Sequence, residues 1–338
     1  SVDVQRHKTS KGHTMSQVTA INQQSITDLD FLNDVLHGLA QQQKSLPCKY
    51  FYDDKGAALF EQITSLQEYY VTRTELAILE DYSKAIANRL PENLSIIEPG
   101  CGSGKKVAYL LAHMSNVKTY VPFEISSEML NYSLAHLSPL FPELAITPLL
   151  GDFTHSQMVK QLTKDTALDS QTNLVYFPGS TLGNFAPVKA IEIMNNFHRL
   201  CGVDGYVLIG IDLVKERQVL LDAYDDKAGI TAAFNKNLLQ RINNELNSTF
   251  ILDNFKHESR FNEVHSRIEM HLVSKCNQSV VINDKQIDFV AGESIHTENS
   301  HKYTLESFKN LAAQANLSLE QTWQDEKSYF ALCLLRPM

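Results

Sequence analysis

The chain has 338 residues, of which 43% are hydrophobic, and a formal net charge of −9 at pH 7. This length suits one large domain or two closely packed ones, with enough apolar material for a sizeable core. An acidic chain offers no basic surface for nucleic acid or an anionic membrane, and no apolar run approaches the ~18 residues of a membrane span. We therefore predict neither a nucleic-acid nor a membrane partner.

Cysteine usage and the amino-terminal stretch bear on the compartment. Residues 1–14 precede Met15 and lack the apolar core of a signal peptide, so we interpret them as a leader outside the fold. The cysteines are odd in number, far apart and without a CxxC pair, which indicates free thiols in a reducing cytoplasm rather than a disulfide framework or zinc site. We further predict a monomer. The cysteines are Cys48, Cys101, Cys201, Cys276 and Cys333.

From residue 72 onward, strand-like and helix-like segments alternate. Thr72 and Glu75 have the spacing of a capping box before the helical stretch LAILEDYSKAIANRL. Such alternation predicts an α/β fold with a parallel sheet and helices on both faces. The strand-like runs are LSIIEPG, KTYVPFEIS, AITPLLGDF, TNLVYFPGS and GYVLIGIDL.

After Leu213 this rhythm changes. A long helical stretch is followed by strand-like alternation in SRIEMHLVSK, SVVIND and KQIDFVAGES, then by a helix and a final pair of strands. We interpret residues 214–303 as an excursion that packs with residues 15–71 as a second, α+β cap domain. Residues 72–213 and 304–338 would then form the sheet domain.

A glycine turn lies between the first strand and the next helix. It reads Glu98-Pro-Gly-Cys-Gly-Ser-Gly104, and glycines there allow positive φ and a close approach of backbone to ligand. The spacing is neither GxGxxG nor GxxxxGK[ST]. The turn resembles the first motif of class I S-adenosylmethionine-dependent methyltransferases, whose sheet is Rossmann-like. Taken alone, such a turn could also serve another ligand or none.

Further positions fit that resemblance in the expected order. Glu124 ends a strand 20 residues after Gly104, where such folds hold ribose hydroxyls through bidentate hydrogen bonds. Asp152 and Phe153 follow the next strand, where the resemblance places recognition of the adenine amine and ring. These signals together favour S-adenosylmethionine as the cofactor. The predicted cofactor-binding residues are Gly100, Gly102, Lys106, Glu124, Asp152 and Phe153.

Several long segments are similar to one branch of these enzymes. Residues 50–75, 177–185, 223–243, 267–272 and 289–303 resemble the histidine-specific N-alpha-methyltransferases of ergothioneine biosynthesis, and the resemblance begins near residue 30. It implies a methyltransferase sheet with a substrate-binding cap. It also implies conversion of L-histidine to hercynine, the N-alpha-trimethyl betaine, with three molecules of cofactor.

The resemblance assigns substrate contacts to the stretch GESIHTENSHKY, residues 292–303. By resemblance, Glu298 and Ser300 contact the imidazole of the substrate. A neutral imidazole has one N–H donor and one bare acceptor nitrogen, which a carboxylate and a hydroxyl complement. Residues two apart on an extended segment face the same way. Read alone, Glu298 could equally be a solvated loop residue.

The resemblance assigns the other substrate contacts. Asn184 and Tyr224 would donate to the substrate carboxylate, while Tyr52, Tyr69 and the Gly179 carbonyl would contact the α-amino end. We name Tyr52, Asn184 and Tyr224 as the catalytic set. Either a tyrosine or solvent would have to accept the proton of the amine. Phe60 and Met270 would form apolar walls, and Thr231 would supply a hydroxyl near the ring; each residue alone could be ordinary packing.

The sequence is also compatible with two other functions. One is a methyltransferase of the same superfamily that acts on another histidine- or tryptophan-derived amine, although an indole would leave Glu298 partly unpaired. Another is a catalytically silent protein that binds S-adenosylmethionine and an amino acid. Four histidines near the motifs lack metal-ligand spacing such as HExxH, so we interpret them as surface or satisfied residues and predict no metal. They are His155, His271, His296 and His301.

Overall fold

A computed structural model describes residues 28–165 and 172–338. The predicted leader, residues 1–14, lies outside the described residues. The described chain begins with three helices that precede the first strand, and a 3₁₀ turn separates the first two. These elements are α1 (Asp28–Leu39), the 3₁₀ turn (Cys48–Phe51), α2 (Asp54–Ile63) and α3 (Tyr70–Ala87).

A seven-stranded sheet is the centre of the fold, with strand order β11-β12-β5-β4-β1-β2-β3. Strands β1 to β5 are parallel, whereas β12 runs antiparallel to β5 and β11 antiparallel to β12. The strands are β1 (Ser95–Pro99), β2 (Thr119–Glu124), β3 (Leu149–Leu150), β4 (Asn173–Phe177), β5 (Tyr206–Asp212), β11 (Leu317–Gln324) and β12 (Phe330–Pro337). The intervening helices are α4 (Lys105–Leu111), α5 (Ser127–Leu140), α6 (Ser156–Asp165) and α7 (Pro187–Cys201).

Both faces of the central strands β1, β4 and β5 are buried, which explains why these strands read as continuous apolar runs. Successive residues of one strand enter different apolar clusters: Ile96 belongs to one and Ile97 to the other. The same split separates Leu208 from Ile209 on β5. The predicted α/β class with a mainly parallel sheet is therefore confirmed.

The remaining elements of the described chain form two small sheets and three α-helices. A three-stranded antiparallel sheet has the order β10-β7-β6, and β8 pairs with β9. The elements are α8 (Arg217–Ala223), α9 (Ile230–Leu246), β6 (Phe255–Asn262), β7 (Arg267–Ser274), β8 (Gln278–Ile282), β9 (Lys285–Phe289), β10 (Ser294–His301) and α10 (Leu305–Ala313).

Strand β10 is fixed from two directions. On one side its His296 pairs with the segment after α1, through the Lys44 carbonyl at 2.8 Å and the Leu46 amide at 3.0 Å. Just beyond its end, the amide of Tyr303 donates to the carbonyl of Asp212, the last residue of β5, at 3.0 Å. These bonds bring β10 to the carboxyl edge of the large sheet.

The predicted domain boundaries agree with the positions of the strands but not with the extent of the apolar core. The strands of the large sheet fall within residues 72–213 and 304–338, and the three-stranded sheet falls within 214–303. One apolar cluster nevertheless includes residues of both parts, for example Leu208 and Phe234, so the division into two domains stays a prediction. In the described ranges, no helix is long and apolar enough to cross a membrane, and all five cysteines are free thiols.

The predicted capping box is wrong. Helix α3 begins at Tyr70, after Tyr69 at the N-cap position, and no side chain caps it. Thr72 and Glu75 therefore lie inside the helix. Glu75 is fully buried and binds a neighbouring loop and a lysine instead of the backbone of its own helix.

Candidate active site

A cavity of about 1230 Å³ opens where the carboxyl ends of β1, β2 and β4 meet β10. In open α/β sheets, this edge is the usual place for ligands. The volume exceeds the ~300–1,000 Å³ of a typical single-ligand pocket, so it suits two ligands side by side. All cofactor-, substrate- and catalysis-associated residues predicted from the sequence line this cavity; their individual roles stay predictions.

The glycine turn forms one wall. Gly100, Gly102 and Gly104 have φ values of +65°, +53° and +72°, a region that glycine occupies without strain. A Cβ at Gly104 would lie 2.6 Å from the Ser133 hydroxyl, so this glycine permits packing against α5. A Cβ at Gly102 would meet no atom within 4 Å. Gly102 therefore leaves open space for a ligand to approach the backbone.

The carboxylates of Glu124 and Asp152, at the cofactor end, accept hydrogen bonds from backbone amides. Glu124 accepts from the Gly102 amide at 3.2 Å and, through its other oxygen, from the Ile125 amide at 2.8 Å. One oxygen of Asp152 accepts from the amide and hydroxyl of Thr154, at 2.8 and 2.6 Å. Both acids thus shape their own loops while lining the cavity. Burial raises the pKa of Glu124, although the backbone donors oppose this effect.

Phe153 and Lys106 complete this end. The Phe153 ring packs edge-on against Phe177, with ring centroids 5.4 Å apart, and a Cβ at Gly100 would come within 3.3 Å of it. The Lys106 ammonium pairs with Glu75 at 2.6 Å. Lys106 therefore stands between the glycine turn and the loop after β4.

Glu75 joins the cofactor end to the substrate end. It comes from α3 and is fully buried. Both of its oxygens lie 3.0 Å from the amide of Gly179, which has φ of +79°. This contact holds the loop after β4, the segment whose Gly179 carbonyl and Asn184 are predicted to contact the substrate.

Aromatic side chains form the outer wall of the substrate end. Tyr52 packs edge-on against Phe60, with centroids 5.7 Å apart, and Tyr69 packs edge-on against Tyr224 at 6.0 Å. Phe234 on α9 contacts both Tyr52 and Phe60, at 5.9 and 6.0 Å. Phe234 lies within residues 223–243, one of the segments that carry the family resemblance, but it is not among the predicted site residues. Its helical position gives no local signal that it faces the site.

Strand β10 supplies the polar floor. A register shift between His296 and Glu298 leaves Thr297 as the extra residue, and its hydroxyl is held by Asn235 at 2.7 Å. Beyond this bulge, Glu298 and Ser300 both line the cavity, as their spacing predicts. Among the described residues, no hydrogen bond reaches the Glu298 carboxylate, whereas the Ser300 hydroxyl lies 2.7 Å from that of Tyr224.

Burial sets the protonation of this end. It raises the pKa of Glu298 to about 7, although the positive charge of Lys302 opposes it. It also holds the pKa values of Tyr52, Tyr69 and Tyr224 well above their usual range. These phenols therefore keep their protons at neutral pH, which argues against a tyrosine acting as a phenolate base.

The other predicted residues also border the cavity. Asn184 ends a 3₁₀ turn, Thr181–Asn184, and is partly exposed there. Met270 is buried on β7, opposite Glu298. Thr231 is buried at the start of α9, and its hydroxyl has no partner within the described part of the chain. An unpartnered buried hydroxyl beside a cavity is suited to a ligand or to water.

Residues 28–165 and 172–338 contain one group with metal-ligand chemistry, Glu269, His271 and His296. Its atoms are already engaged: the Nε2 of His271 lies 2.9 Å from Glu269 and its Nδ1 lies 3.0 Å from the Ser294 hydroxyl. Burial lowers the pKa of His271 to about 4, so the ring is neutral. These contacts favour a structural network, and the absence of a metal stays a prediction.

The interpretation of the histidines holds only in part. His155 is exposed and His271 is satisfied. His301 is buried and donates through Nδ1 to the Gly183 carbonyl at 2.7 Å, but its Nε2 has no partner among the described residues. His301 is therefore neither a surface residue nor a fully satisfied one.

The sheet order, the glycine turn and the acids at the ends of β2 and β3 define a class I S-adenosylmethionine-dependent methyltransferase. The open space over Gly102 and the carboxylates of Glu124 and Asp152 are compatible with that cofactor. The chain belongs to the histidine-specific family of these enzymes, because the profile of the family "Histidine-specific methyltransferase, SAM-dependent" matches residues 31–337.

Named relatives agree with this assignment. The chain is 36% identical to the histidine N-alpha-methyltransferase of Mycolicibacterium smegmatis, over 89% of this chain and 93% of that one. It is 35% identical to the protein of the same name from Mycobacterium tuberculosis, with the same coverage. It is also 26% identical to the 4-dimethylallyltryptophan N-methyltransferase of Epichloe festucae var. lolii, over 94% of this chain and 96% of that one.

Proposed function

We propose that this protein methylates the α-amino group of L-histidine with S-adenosylmethionine and gives hercynine, the trimethyl betaine used in ergothioneine biosynthesis. The observation that carries the proposal is the Glu298 carboxylate. It lines the cavity beside the paired hydroxyls of Ser300 and Tyr224 and has no hydrogen bond among the described residues. A half-buried carboxylate with a hydroxyl beside it complements the two nitrogens of a neutral imidazole.

The amino-acid end of the substrate would lie toward the glycine turn. Asn184 and the phenols of Tyr52 and Tyr69, which would contact that end, line the same cavity as the glycine turn. Phenols and an amide offer partial charges rather than a fixed ion pair. Such groups can hold an amine whose methyl count grows from zero to three without losing a salt bridge at each step.

The cofactor, when bound, supplies an electrophilic methyl group with a sulfonium leaving group. Gly100, Gly102, Lys106, Glu124, Asp152 and Phe153 would hold it. The protein then contributes position, since a reacting amine held at the correct distance and angle gains most of its rate from orientation. Glu75 supports this positioning because it fixes both Lys106 and the Gly179 loop.

Proton removal is the remaining step. An ammonium has no lone pair, so the amine must react without its proton. The raised pKa values of Tyr52, Tyr69 and Tyr224 keep these phenols neutral, and neutral phenols are poor bases. We infer that the amine enters deprotonated, or gives its proton to solvent, and that the phenols orient its lone pair.

The wider setting follows from the composition. The five cysteines are free, which fits a reducing cytoplasm. The substrate is a small amino acid, and no nucleic acid or membrane is required for the chemistry proposed. We propose that one chain forms the complete site, because all the residues predicted to bind cofactor and substrate line one cavity.

A product analysis tests the function. Purified protein is incubated with S-adenosylmethionine and each of the 20 amino acids, and the products are resolved by mass and fragmentation. We expect a mass gain of three methyl groups on histidine alone, located on the α-nitrogen. Methylation of the imidazole would reverse the proposed orientation of the substrate. Methylation of tryptophan but not of histidine would indicate an activity like the one named for the Epichloe relative. Binding of histidine without turnover would indicate a catalytically silent binding protein.

A further inference from the structure

Lys302 lies behind the polar floor of the cavity, two residues after Ser300 and just past the end of β10. Its side chain is fully buried. The ammonium lies 2.6 Å from the Asp212 carboxylate, 2.7 Å from the Ser300 hydroxyl and 3.0 Å from the Tyr224 hydroxyl. The lysine thus touches two predicted substrate contacts, although it does not itself line the cavity.

All three N–H donors of the Lys302 ammonium have hydrogen-bond partners. An ammonium has three N–H donors and no acceptor, and Lys302 has three oxygen partners. Both hydroxyl oxygens therefore accept a hydrogen bond from it. Asp212 anchors the arrangement: burial would raise its pKa, but the charges of Lys302 and Lys215 hold that pKa below its ordinary value, so it stays ionised.

The two hydroxyls have only one mutual contact. Ser300 and Tyr224 lie 2.7 Å apart, and one of their hydrogens occupies this contact. The other hydrogen must point elsewhere, and the cavity is adjacent. A phenol is a stronger hydrogen-bond donor than an aliphatic hydroxyl, so we assign the shared hydrogen to Tyr224. The hydrogen of Ser300 is then the one directed at the substrate, and the single hydrogen of the phenol is not available for the carboxylate contact that the resemblance assigns to Tyr224.

We propose that Lys302 is a positioning residue that fixes the Ser300–Tyr224 hydroxyl pair as a hydrogen-bond donor toward the substrate ring. The inference rests on the proposed function and adds a direction to it: Ser300 donates to the bare ring nitrogen, while Glu298 accepts from the ring N–H. An imidazolium has two N–H groups and no acceptor. Ser300 as a donor and Glu298 as an acceptor therefore select neutral imidazole and disfavour both the charged ring and an indole.

The test uses a matched pair of lysines. Lys215 also binds Asp212, at 2.6 Å, and is almost as buried as Lys302, but its other hydrogen bonds go to Tyr70 and the Leu213 carbonyl. Lys302→Met should raise the KM for histidine at least tenfold and leave the affinity for S-adenosylmethionine within threefold of wild type. Lys215→Met should change the KM for histidine by less than threefold. Equal effects of the two substitutions would reduce Lys302 to a structural role.

A double-mutant cycle separates positioning from stability. If Lys302 acts through the hydroxyl, Lys302→Met should add less than threefold to the KM of Ser300→Ala, so that the two effects fall well short of multiplying. Multiplying effects would overturn the proposal. Lys302→Gln is the second variant if the methionine variant does not fold. Because its amide can still donate to Ser300, we expect a smaller increase in KM with the same non-additivity, and multiplying effects would again overturn the proposal.

The proposed function is checked in the same experiment. Turnover of histidine by the wild-type protein is measured first, so failure of the proposed function appears there. Failure of the positioning role appears only in the variants. Thermal unfolding of every variant is recorded, and an unchanged KM in a folded Lys302 variant contradicts the role of this lysine.

Discussion

The two ends of the cavity are built on different principles. At the cofactor end, Glu124 and Asp152 accept hydrogen bonds from backbone amides of the neighbouring loops, and Gly102 leaves room for a ligand because it has no side chain. At the substrate end, Glu298 has no such bond among the described residues, and Ser300 is fixed by buried side chains. The first end is shaped by backbone and the second by side chains. A short motif can therefore reveal the cofactor, whereas the substrate depends on residues far apart in the sequence.

The largest effect should come where the two ends meet. Glu75→Ala would leave Lys106 and the Gly179 amide without their buried partner. Breaking a buried ion pair in this way costs about 3–5 kcal/mol, so we expect a lower free energy of unfolding and weaker binding of both ligands. Denaturant unfolding and separate titrations of cofactor and histidine measure this. Loss of affinity for one ligand only would place Glu75 at a single end.

A second substitution should affect the cofactor end alone. Glu124→Ala removes the carboxylate predicted to hold the ribose and frees the Gly102 amide. Charge-assisted bonds contribute about 1.5–3 kcal/mol each, so cofactor affinity should fall by at least tenfold. Calorimetric titration with S-adenosylmethionine provides the value, with Glu92→Ala on the exposed surface as the control. An affinity equal to that of the control would exclude Glu124 from the site.

The pH dependence of histidine binding tests the role of Glu298 at the substrate end. Burial raises the pKa of Glu298 to about 7 against the charge of Lys302. Since a ring N–H stabilises the carboxylate, binding should release its proton, and histidine affinity should fall as the pH drops through 7. The fall attributable to Glu298 between pH 8 and 6 is about tenfold by linkage. Histidine itself protonates near pH 6.5, so Glu298→Gln, which cannot titrate, is the matched control.

Titrations from pH 8 to 6 compare the slopes of these two proteins. The wild type should show the steeper decline, since Glu298 titrates in it in addition to the groups of histidine, which titrate with both proteins. Parallel slopes would mean that Glu298 does not change protonation on binding.

The smallest effect concerns Thr231. Its buried hydroxyl has no partner within the described ranges, and an unsatisfied buried polar group costs about 1–3 kcal/mol. Thr231→Val should therefore raise the melting temperature slightly and increase the KM for histidine only a few-fold. Differential scanning calorimetry and initial rates measure both quantities. A lower melting temperature would show that the hydroxyl is satisfied, for example by the Asp226 carboxylate, whose pKa the Thr231 side chain lowers.

The sequence predicts the central sheet because its inner strands, such as β1, β4 and β5, are buried on both faces and read as apolar runs. It also predicts that Glu298 and Ser300 share a side, since side chains alternate along a strand. Lys302 continues that spacing, so a local signal existed, but its partner Asp212 is 90 residues away. The capping box failed because Glu75 satisfies a distant loop. Strand β6 and the helices α1 and α2 were not predicted, although α1 places its buried residues Phe31, Val35 and Leu39 at helical spacing.

The most direct measurement is a competition between histidine and phenylalanine in the Glu298→Ala/Ser300→Ala variant. In the wild type, phenylalanine leaves both polar groups unpaired, and sites built to bond a polar ring reject such analogues strongly. Removing the pair should lower the preference for histidine, as a ratio of kcat/KM values, by at least tenfold while cofactor affinity stays near wild type. An unchanged preference in the folded variant would show that the imidazole is recognised elsewhere.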